Sequence, residues 1–335
     1  MSTAAPEDLA GSLTGQAGLG APKQIEVLAG GRNNRVFRVT LGDGTAVVLK
    51  CYHHDPRDPR DRLQAEWRFL GYIGARGVRN VPQPLASDPA QHTALYSFVQ
   101  GRRAPSADAD LTGQAADFAI AINGAPRQPR DLAPASEACF SLASHIDIVD
   151  RRVARLVEFD DAVPHVAAAR AFVETRLNPV WRQVHATILR EAQARGVAPD
   201  AAIGREIVSP SDFGFHNALI DEQGRASFLD FEYAGRDDPA KLICDFFCQP
   251  ELAVPLNHYD AFTGKVAAAL DLAEDDLWRA RALLDAYRVK WVCIMLNEFS
   301  PVGARRRAFA SAQDHEIRAA RQLRTAERYL DLVTS

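Results

Sequence analysis

The sequence predicts an α+β protein with a small β-rich N-terminal lobe and a larger, mainly helical C-terminal lobe. Apolar strand patterns separated by glycine-containing turns fill residues 25–50, and another strand pattern follows at 93–99. Helical periodicity dominates residues 107–202 and 237–333. We therefore expect a two-lobed protein. The predicted bounds are 1–22 for a flexible N-terminus, 23–100 for the N-terminal lobe, and 101–335 for the C-terminal lobe with a hairpin at 209–232.

Composition limits the kind of protein that this chain can be. It has 335 residues, of which 47% are hydrophobic and 24% charged, so it can bury a substantial core. A net charge of -4 argues against a nucleic acid polymer as partner, because such binding usually leaves a basic footprint. No apolar run approaches membrane-spanning length, and the first residues lack a signal-peptide pattern. The five scattered cysteines are typical of thiols in a reducing compartment, so we expect a cytoplasmic protein without membrane contact, of open oligomeric state.

The predicted N-terminal lobe carries residues that could bind a nucleotide. Gly30 and Gly31 lie in a turn between two strands, where backbone N–H groups can face phosphates. Lys50 ends an apolar strand, and Glu66 lies beside the apolar face of a helix predicted over 59–76. In isolation, each of these residues is more typical of an ordinary turn, a strand end or a solvated helix position than of a nucleotide site. A Lys50–Glu66 pair is the hypothesis that connects them.

A β-hairpin is predicted at residues 209–232, and its polar residues are its most informative feature. A turn signal over 221–224 is flanked on both sides by apolar runs. Asp212 and Asn217 lie in the loop that enters the first strand, and Asp230 ends the second. Strands joined by a tight turn bring their outer ends side by side. Asn217 and Asp230 should therefore converge, with Asp212 beside them.

These residue types suit phosphoryl transfer from a magnesium nucleotide. Mg²⁺ prefers hard oxygen ligands and shares them with the phosphates, which fits Asn217 and Asp230. A separate Asp orients the attacking hydroxyl and takes its proton, and Asp212 holds that position in the D-x-x-x-x-N spacing of a kinase catalytic loop.

The tripeptide at 212–214 also spells the DFG of protein kinases. In that role it should follow a D-x-x-x-x-N motif, but Asp200 is the nearby upstream Asp and Arg205 stands where the Asn should be. The DFG interpretation therefore fails.

On these residues the sequence resembles the aminoglycoside phosphotransferase and choline kinase superfamily, small-molecule kinases with a protein-kinase-like two-lobed fold. The resemblance extends over about residues 25–330. It implies that Lys50, held by Glu66, binds the nucleotide phosphates. The strand that runs into a linker matches a kinase hinge, so the backbone at Ser97 and Val99 is expected to bind adenine.

The resemblance also assigns roles in the hairpin. It implies that Asp212 is the catalytic residue and that Asn217 and Asp230 are metal ligands, with Glu232 as a further carboxylate at the metal. One position departs from the family pattern, because Pro210 stands where the family usually has a histidine that supports the catalytic loop. Proline fixes φ and removes a donor, so the loop must be braced in another way. The family's element behind the active site, in which an Asp braces the catalytic loop, matches Asp238, Pro239 and Asp245.

The expected function is ATP- and Mg²⁺-dependent transfer of a phosphoryl group to a hydroxyl of a small molecule. One alternative is a pseudokinase that binds nucleotide or a protein partner without turnover, which Pro210 favours. Another is a protein kinase, but no activation segment is recognisable between Asp230 and Asp245.

The acceptor is left open among a sugar, an amino alcohol and an aminoglycoside-like compound. Acidic residues of the helical lobe could attract a cationic amine, and aromatic residues could face a quaternary ammonium group. The acidic residues are more typical of solvated helix positions, and the spacing of the aromatic residues is equally that of a core stripe. They are Asp147, Asp150 and Glu298, and Tyr287, Trp291 and Phe299.

Overall fold

The computed structural model describes residues 4–28, 34–54, 58, 60–124, 131–301 and 315–334. The chain divides into two compact units, one formed by Met1–Ala138 with Ile207–Asp237 and the other by Cys139–Glu206 with Asp238–Ser335. The first unit contains the hairpin, which the predicted bounds assigned to the C-terminal lobe. In the described part of the chain all named strands belong to this unit, and the predicted α+β class is confirmed.

The first unit is built on a five-stranded antiparallel sheet. Its strands are β1 (Pro22–Val27), β2 (Arg35–Leu41), β3 (Ala46–Cys51), β4 (Pro84–Asp88) and β5 (Thr93–Ser97), in the order β1-β2-β3-β5-β4. The predicted turn between β2 and β3 is present, and Gly44 adopts there a left-handed φ of 87° that glycine accepts without strain. Strand β3 is central, and its register places Lys50 opposite Val36 and Ala94.

Part of the predicted flexible N-terminus is a helix, α1 (Pro6–Gln16). Proline at the first position and acidic residues in the first turn favour a helix start. Leu9, Ala10 and Leu13 are buried in one cluster with residues of the sheet. The small residues between them conceal this apolar stripe in the composition, and its packing on the sheet is what stabilises so short a helix.

Two more helices belong to the first unit, α2 (Arg62–Ala75) and α3 (Ala109–Ile122). Helix α2 begins later than predicted because Asp61 caps it, accepting a hydrogen bond of 2.9 Å from Gln64 N. The buried face of α2 includes Glu66, whose partners are described below.

Two short ladders shape the predicted catalytic segment. β6 (Ile207–Ser209) pairs with β9 (Gly235–Asp237), and β7 (Ala218–Ile220) pairs with β8 (Ala226–Phe228). The predicted hairpin is thus confirmed, and the loop over 210–217 runs from β6 to β7.

Close backbone contacts fix these ladders. Asn123, at the end of α3, donates to Val208 O at 2.9 Å and accepts from Val208 N at 2.8 Å. A Cβ atom at Gly235 would lie 2.5 Å from Ala133 O, so only glycine fits this crossing.

The segment that follows β5 is joined to the hairpin. Arg102 N donates to Ile220 O at 2.9 Å, and Ile220 N donates to Arg102 O at 2.8 Å. At Gly101 a Cβ atom would lie 3.0 Å from Ile220 O, which explains why the chain uses glycine at this approach.

The second unit is helical in the part of it that the structure describes. Its helices are α4 (Leu142–Ala154), α5 (Val166–Phe172), α6 (Asn178–Ala194), α7 (Pro239–Cys248), α8 (Tyr259–Leu270), α9 (Glu274–Ala282), α10 (Leu284–Leu296) and α11 (His315–Thr334). Helix α10 is central and packs against α4, α6, α7 and α11. The segment 280–299, predicted as one helix, is divided between two, since α9 ends at Ala282 and α10 begins at Leu284. Across the described ranges, no helix is both long and apolar enough to cross a membrane.

Candidate active site

The predicted pair between Lys50 and Glu66 is present in the first unit. Lys50 Nζ lies 2.6 Å from Glu66 Oε2, and both side chains are buried. Glu66 Oε2 also accepts a hydrogen bond of 2.8 Å from the Tyr52 hydroxyl, which lies 2.7 Å from the Tyr96 hydroxyl. On its other oxygen, Glu66 accepts from Phe231 N at 3.3 Å. The carboxylate is thus fixed on both sides and holds the Lys50 ammonium in place.

Asp230 brings the end of the hairpin to the same lysine. Its Oδ1 lies 2.6 Å from Lys50 Nζ, and 43% of its side chain is exposed. Its φ of 65° is uncommon for a residue other than glycine and is a conformation that clusters at functional sites. Burial lowers the pKa of Lys50, but the carboxylates of Asp230, Glu66 and Glu232 outweigh it and raise that pKa well above its ordinary value. Lys50 is therefore a permanent cation beside an accessible carboxylate.

The loop between β6 and β7 holds Asp212 and Asn217 together. Asn217 Nδ2 lies 3.1 Å from Asp212 O and 3.4 Å from Asp212 Oδ2. Asn217 O accepts a hydrogen bond of 2.8 Å from Leu229 N, one residue before Asp230. The Asp212 side chain is 33% exposed. The predicted convergence of Asn217 with the end of the second strand is therefore confirmed along the backbone.

Serine side chains brace the loop that Pro210 enters. Ser209 Oγ accepts a hydrogen bond of 3.1 Å from Ser211 N, and Ser211 Oγ donates to Ser136 O at 3.4 Å. Asp212 N donates to Pro210 O at 2.9 Å. Ser211 has a left-handed φ of 67°, which turns the chain sharply before the proposed catalytic residue. The loop is thus held without the histidine of the family pattern.

Glu232 lies close to the cluster but has a different partner. It is only 3% exposed and accepts a hydrogen bond from Asn34 Nδ2. Asn34 Oδ1 in turn accepts from His53 N at 3.1 Å. Gly30 and Gly31, which precede Asn34 in the predicted turn, lie outside the described residues.

The two predicted adenine-binding residues follow from the course of β5. Ser97, its last residue, donates its N–H to Gln83 O at 2.9 Å and accepts from Gln83 N on its hydroxyl at 2.8 Å. Val99 follows, partly exposed, before the segment joins the hairpin at Arg102.

Several side chains of the site were missed in the sequence. They are Tyr52, Asn34 and His216, whose Nε2 lies 3.2 Å from Asp212 Oδ1. Tyr52 had a usable signal, because alternate residues along an extended chain face the same side and Tyr52 stands two positions after Lys50. Asn34 lies outside regular elements and His216 lies in a 3-10 turn of three residues (Phe215–Asn217), so no periodicity predicts where they point.

The residues present fit a magnesium ion. Asn217 Nδ2 contacts Asp212, and the other atom of the amide, Oδ1, is an acceptor of the type that Mg²⁺ prefers. Asp230 offers an exposed carboxylate. Within the described ranges, no group of three or more His, Cys, Asp or Glu residues is placed to hold a metal. A cation at Asn217 and Asp230 would complete its shell with phosphate oxygens and water, as Mg²⁺ commonly does.

The candidate acceptor-binding residues lie in the second unit. Tyr287 and Phe299 are buried core residues, so the aromatic-wall hypothesis is wrong for both. Trp291 is partly exposed. The acidic candidates are paired, Asp147 with Arg151 at 3.1 Å, Asp150 with Trp181 at 2.7 Å and Glu298 with Arg318 at 3.0 Å.

Asp238 anchors a buried ionic cluster in the second unit. It accepts from Arg279 Nε at 2.6 Å and lies 3.0 Å from His145 Nε2, whose other ring nitrogen lies 2.8 Å from the Tyr287 hydroxyl. Burial lowers the pKa of His145, but Cys139 and Asp238 outweigh it and raise that pKa to about 9. Asp245 forms a second cluster, with Lys241 at 3.0 Å and Lys290 at 2.6 Å.

Solved structures with a similar fold include phosphotransferases that act on small molecules. A spectinomycin phosphotransferase, solved with ADP and spectinomycin, is 13% identical, with a TM-score of 0.61 over 99% of this chain and 98% of that one. The choline kinase LicA from Streptococcus pneumoniae is 13% identical, with a TM-score of 0.57 over 97% and 98%. The macrolide 2'-phosphotransferase MphH from Brachybacterium faecium is 17% identical, with a TM-score of 0.57 over 93% and 97%. A search of curated proteins finds no match.

At identities this low, the structural similarity shows the fold alone, and it is the protein-kinase-like fold predicted from the sequence. The class of protein is that of the phosphotransferases, which a family model shows independently of these structures. The chain belongs to the phosphotransferase enzyme family, whose model matches residues 24–284, a range that contains every residue predicted to bind nucleotide or metal or to be catalytic.

Proposed function

We propose that the protein transfers the γ-phosphoryl group of ATP, bound with Mg²⁺, to a hydroxyl group of a small molecule. The observation that carries this proposal is the contact of Lys50 with Asp230 at 2.6 Å, at the end of a hairpin whose entry loop holds Asp212 and Asn217. A cation for phosphates, oxygen ligands for a metal and a carboxylate for the acceptor thus occur together. Membership of the phosphotransferase family supports the same assignment.

The nucleotide is proposed to bind through its phosphates at Lys50, which Glu66 holds in position. Backbone N–H groups at Gly30 and Gly31 would add donors to the phosphates. Adenine would bind to backbone groups near Ser97 and Val99. Since the Ser97 N–H already donates to Gln83, Val99 is the proposed donor to the base.

Asn217 and Asp230 are proposed to hold Mg²⁺, with Glu232 as a further carboxylate. When bound, the ion would neutralise charge on the transferred phosphoryl group. Because Asn34 occupies one oxygen of Glu232, the proposed part of Glu232 is to add negative charge beside the cation.

Asp212 is proposed to orient the acceptor hydroxyl and to take its proton. Its carboxylate is partly exposed, so a hydroxyl can reach it. In phosphoryl transfer, most of the catalysis comes from such positioning and from charge stabilisation, which makes a rigid loop at Asp212 important.

The acceptor is proposed to be a sugar, an amino alcohol or an aminoglycoside-like compound. The structural relatives are named for choline, spectinomycin and macrolides, which share a hydroxyl acceptor and little else. We also propose a cytoplasmic location, because all five cysteines are free thiols.

A thermal-shift experiment tests the nucleotide site first. Wild type, Asp230→Ala and the matched surface control Asp260→Ala are heated with ATP, ADP and GTP, each with and without Mg²⁺. Selective binding raises the melting temperature by mass action. We expect a Mg²⁺-dependent shift with ATP in wild type and in the control, and none in Asp230→Ala.

Turnover is tested next by ADP release with panels of sugars, amino alcohols and aminoglycosides. Acceptor-dependent ADP release that Asp230→Ala lacks supports the kinase. Nucleotide binding without ADP release for any acceptor supports the pseudokinase, and no binding at all contradicts both nucleotide assignments.

A further inference from the structure

We infer that His216 is a positioning residue, which holds the Asp212 carboxylate in the orientation needed to receive the acceptor hydroxyl. The inference rests on the proposed function, because Asp212 is the proposed catalytic residue. His216 itself belongs neither to the nucleotide site nor to the metal site proposed above.

The contact is direct and sheltered. His216 Nε2 lies 3.2 Å from Asp212 Oδ1, and the His216 side chain is only 9% exposed. A ring nitrogen that faces a carboxylate carries the hydrogen, so Nε2–H donates to Asp212. The second carboxylate oxygen is contacted by Asn217 Nδ2 at the longer distance of 3.4 Å. The two donors follow each other in the chain and together define the plane of the carboxylate.

Backbone and serine hydrogen bonds hold the main chain of the loop at Asp212. Asp212 N donates to Pro210 O, and the serine contacts described above hold residues 209–211. None of these bonds involves the carboxylate of Asp212. The side chains that contact that carboxylate, His216 and Asn217, contribute to its orientation.

The surroundings of the other ring nitrogen indicate that a histidine at position 216 lowers the stability of the protein. His216 Nδ1 is buried without a hydrogen-bond partner among the described residues. Burying an unpaired polar atom is unfavourable, so a residue with a purely structural role would better be apolar here. A polar residue kept at the expense of stability is typical of functional positions.

A positioning role and a packing role of His216 predict different effects of its substitution. The variants are His216→Leu, which removes the donor, and His216→Gln, whose amide can place an N–H near the position of Nε2. His258→Leu, at a partly exposed histidine of the second unit, is the matched control. Each protein is assayed for kcat and KM with Mg-ATP, using the best acceptor of the panel or water, and for the Kd of a non-hydrolysable Mg-ATP analogue.

We expect His216→Leu to lower kcat by about ten- to hundredfold, the usual effect of losing a side chain that orients a functional group. The analogue's Kd should stay within about twofold, since neither Lys50 nor Asp230 is touched. The melting temperature should be equal to that of wild type or higher, because the buried unpaired nitrogen is gone. His216→Gln should recover much of kcat, and His258→Leu should resemble wild type.

Other results would overturn the inference. An unchanged kcat in His216→Leu excludes a positioning role. A lower kcat accompanied by a lower melting temperature assigns His216 to packing. Crystal structures of wild type and His216→Leu decide independently of activity, since an Asp212 carboxylate in the same orientation in both contradicts the inference. A wild type that binds no Mg-nucleotide overturns instead the proposed function, which is a separate outcome.

Discussion

Tyr52 and Tyr96 place their hydroxyl groups 2.7 Å apart, and Tyr52 donates onward to Glu66 at 2.8 Å. Burial raises the pKa of both hydroxyls, so both stay protonated and available as donors. A continuous polar chain therefore runs from the strand before the proposed hinge to the Glu66–Lys50 pair. Such buried networks are stable only when each member is satisfied.

The tyrosine chain predicts a defined loss in Tyr52→Phe. Removing this hydroxyl takes one hydrogen bond from the buried Glu66 carboxylate, which should lower the free energy of unfolding by about 1.5–3 kcal/mol. Urea unfolding measures the change. Tyr72→Phe, whose ring lies beside Arg76, is the control and should be close to neutral. Equal stability of both variants would contradict the proposed support of Glu66.

The division of roles between the carboxylates predicts different defects. Asp212→Asn should lower turnover on the order of 10²–10⁴-fold, because it removes the acceptor of the hydroxyl proton. Its Kd for Mg-ATP should hardly change, since Lys50 contacts Asp230 and Glu66 rather than Asp212. Calorimetry and ADP release measure the two quantities. A parallel loss of nucleotide affinity would reassign Asp212 to the nucleotide site.

The raised pKa of His145 predicts how the stability of the protein depends on pH. Its folded pKa, raised from 6.5 to about 9, means that the folded protein binds this proton more tightly. The stabilisation is fully present below pH 6.5 and is lost as the pH rises toward 9. The free energy of unfolding should fall by up to about 1.4 kcal/mol per pH unit in that window.

Unfolding of wild type and His145→Gln over this pH range measures the contribution. The variant should lose the slope that wild type has, while His258→Gln should keep it. A wild-type curve that stays parallel to that of His145→Gln would show that His145 is neutral in the folded protein.

Substitution of Gly235 should produce a clash with the backbone of a neighbouring segment. Alanine there would bring Cβ within 2.5 Å of Ala133 O and 2.6 Å of Ala135 N, which are main-chain atoms that cannot swing away. Gly235→Ala should destabilise the first unit by about 1–3 kcal/mol, as overpacking does. Gly264→Ala, on α8 with open space around the new methyl group, should be neutral or stabilising by up to about 1 kcal/mol. Thermal unfolding compares the pair, and equal effects would refute the clash.

Local signals account for what the sequence predicted correctly. The turn at Gly44 and the hairpin between β7 and β8 were predictable, because each is bounded by its own turn residues and apolar strands. The order and spacing of Lys50, Glu66, Asp212, Asn217 and Asp230 match a catalytic pattern, and the structure brings Lys50 to Glu66 and Asp230 and Asn217 to Asp212. The catalytic and ligand-binding roles of these residues stay predictions.

Features that depend on tertiary packing were not predictable. Helix α1 is fixed by contact with the sheet, and its small residues resemble a linker in composition. The contact of His216 with Asp212 depends on how a loop turns at Ser211, whose φ no short motif encodes. The hairpin belongs to the first unit, in which Asp230 contacts Lys50 at 2.6 Å and Phe231 N donates to Glu66, contacts between segments far apart in the chain.

The contact of Lys50 with Asp230 has a consequence for the order of ligand binding. Without ligands the cation and the carboxylate neutralise each other at 2.6 Å. A metal that takes Asp230 leaves Lys50 without this partner, and a phosphate that takes Lys50 frees Asp230. Binding of either ligand therefore raises the affinity for the other, and by linkage the two increases are equal. We expect Mg²⁺ and ATP to bind as a cooperative pair, each weakly alone, and calorimetric titrations of either in the presence and absence of the other measure this coupling.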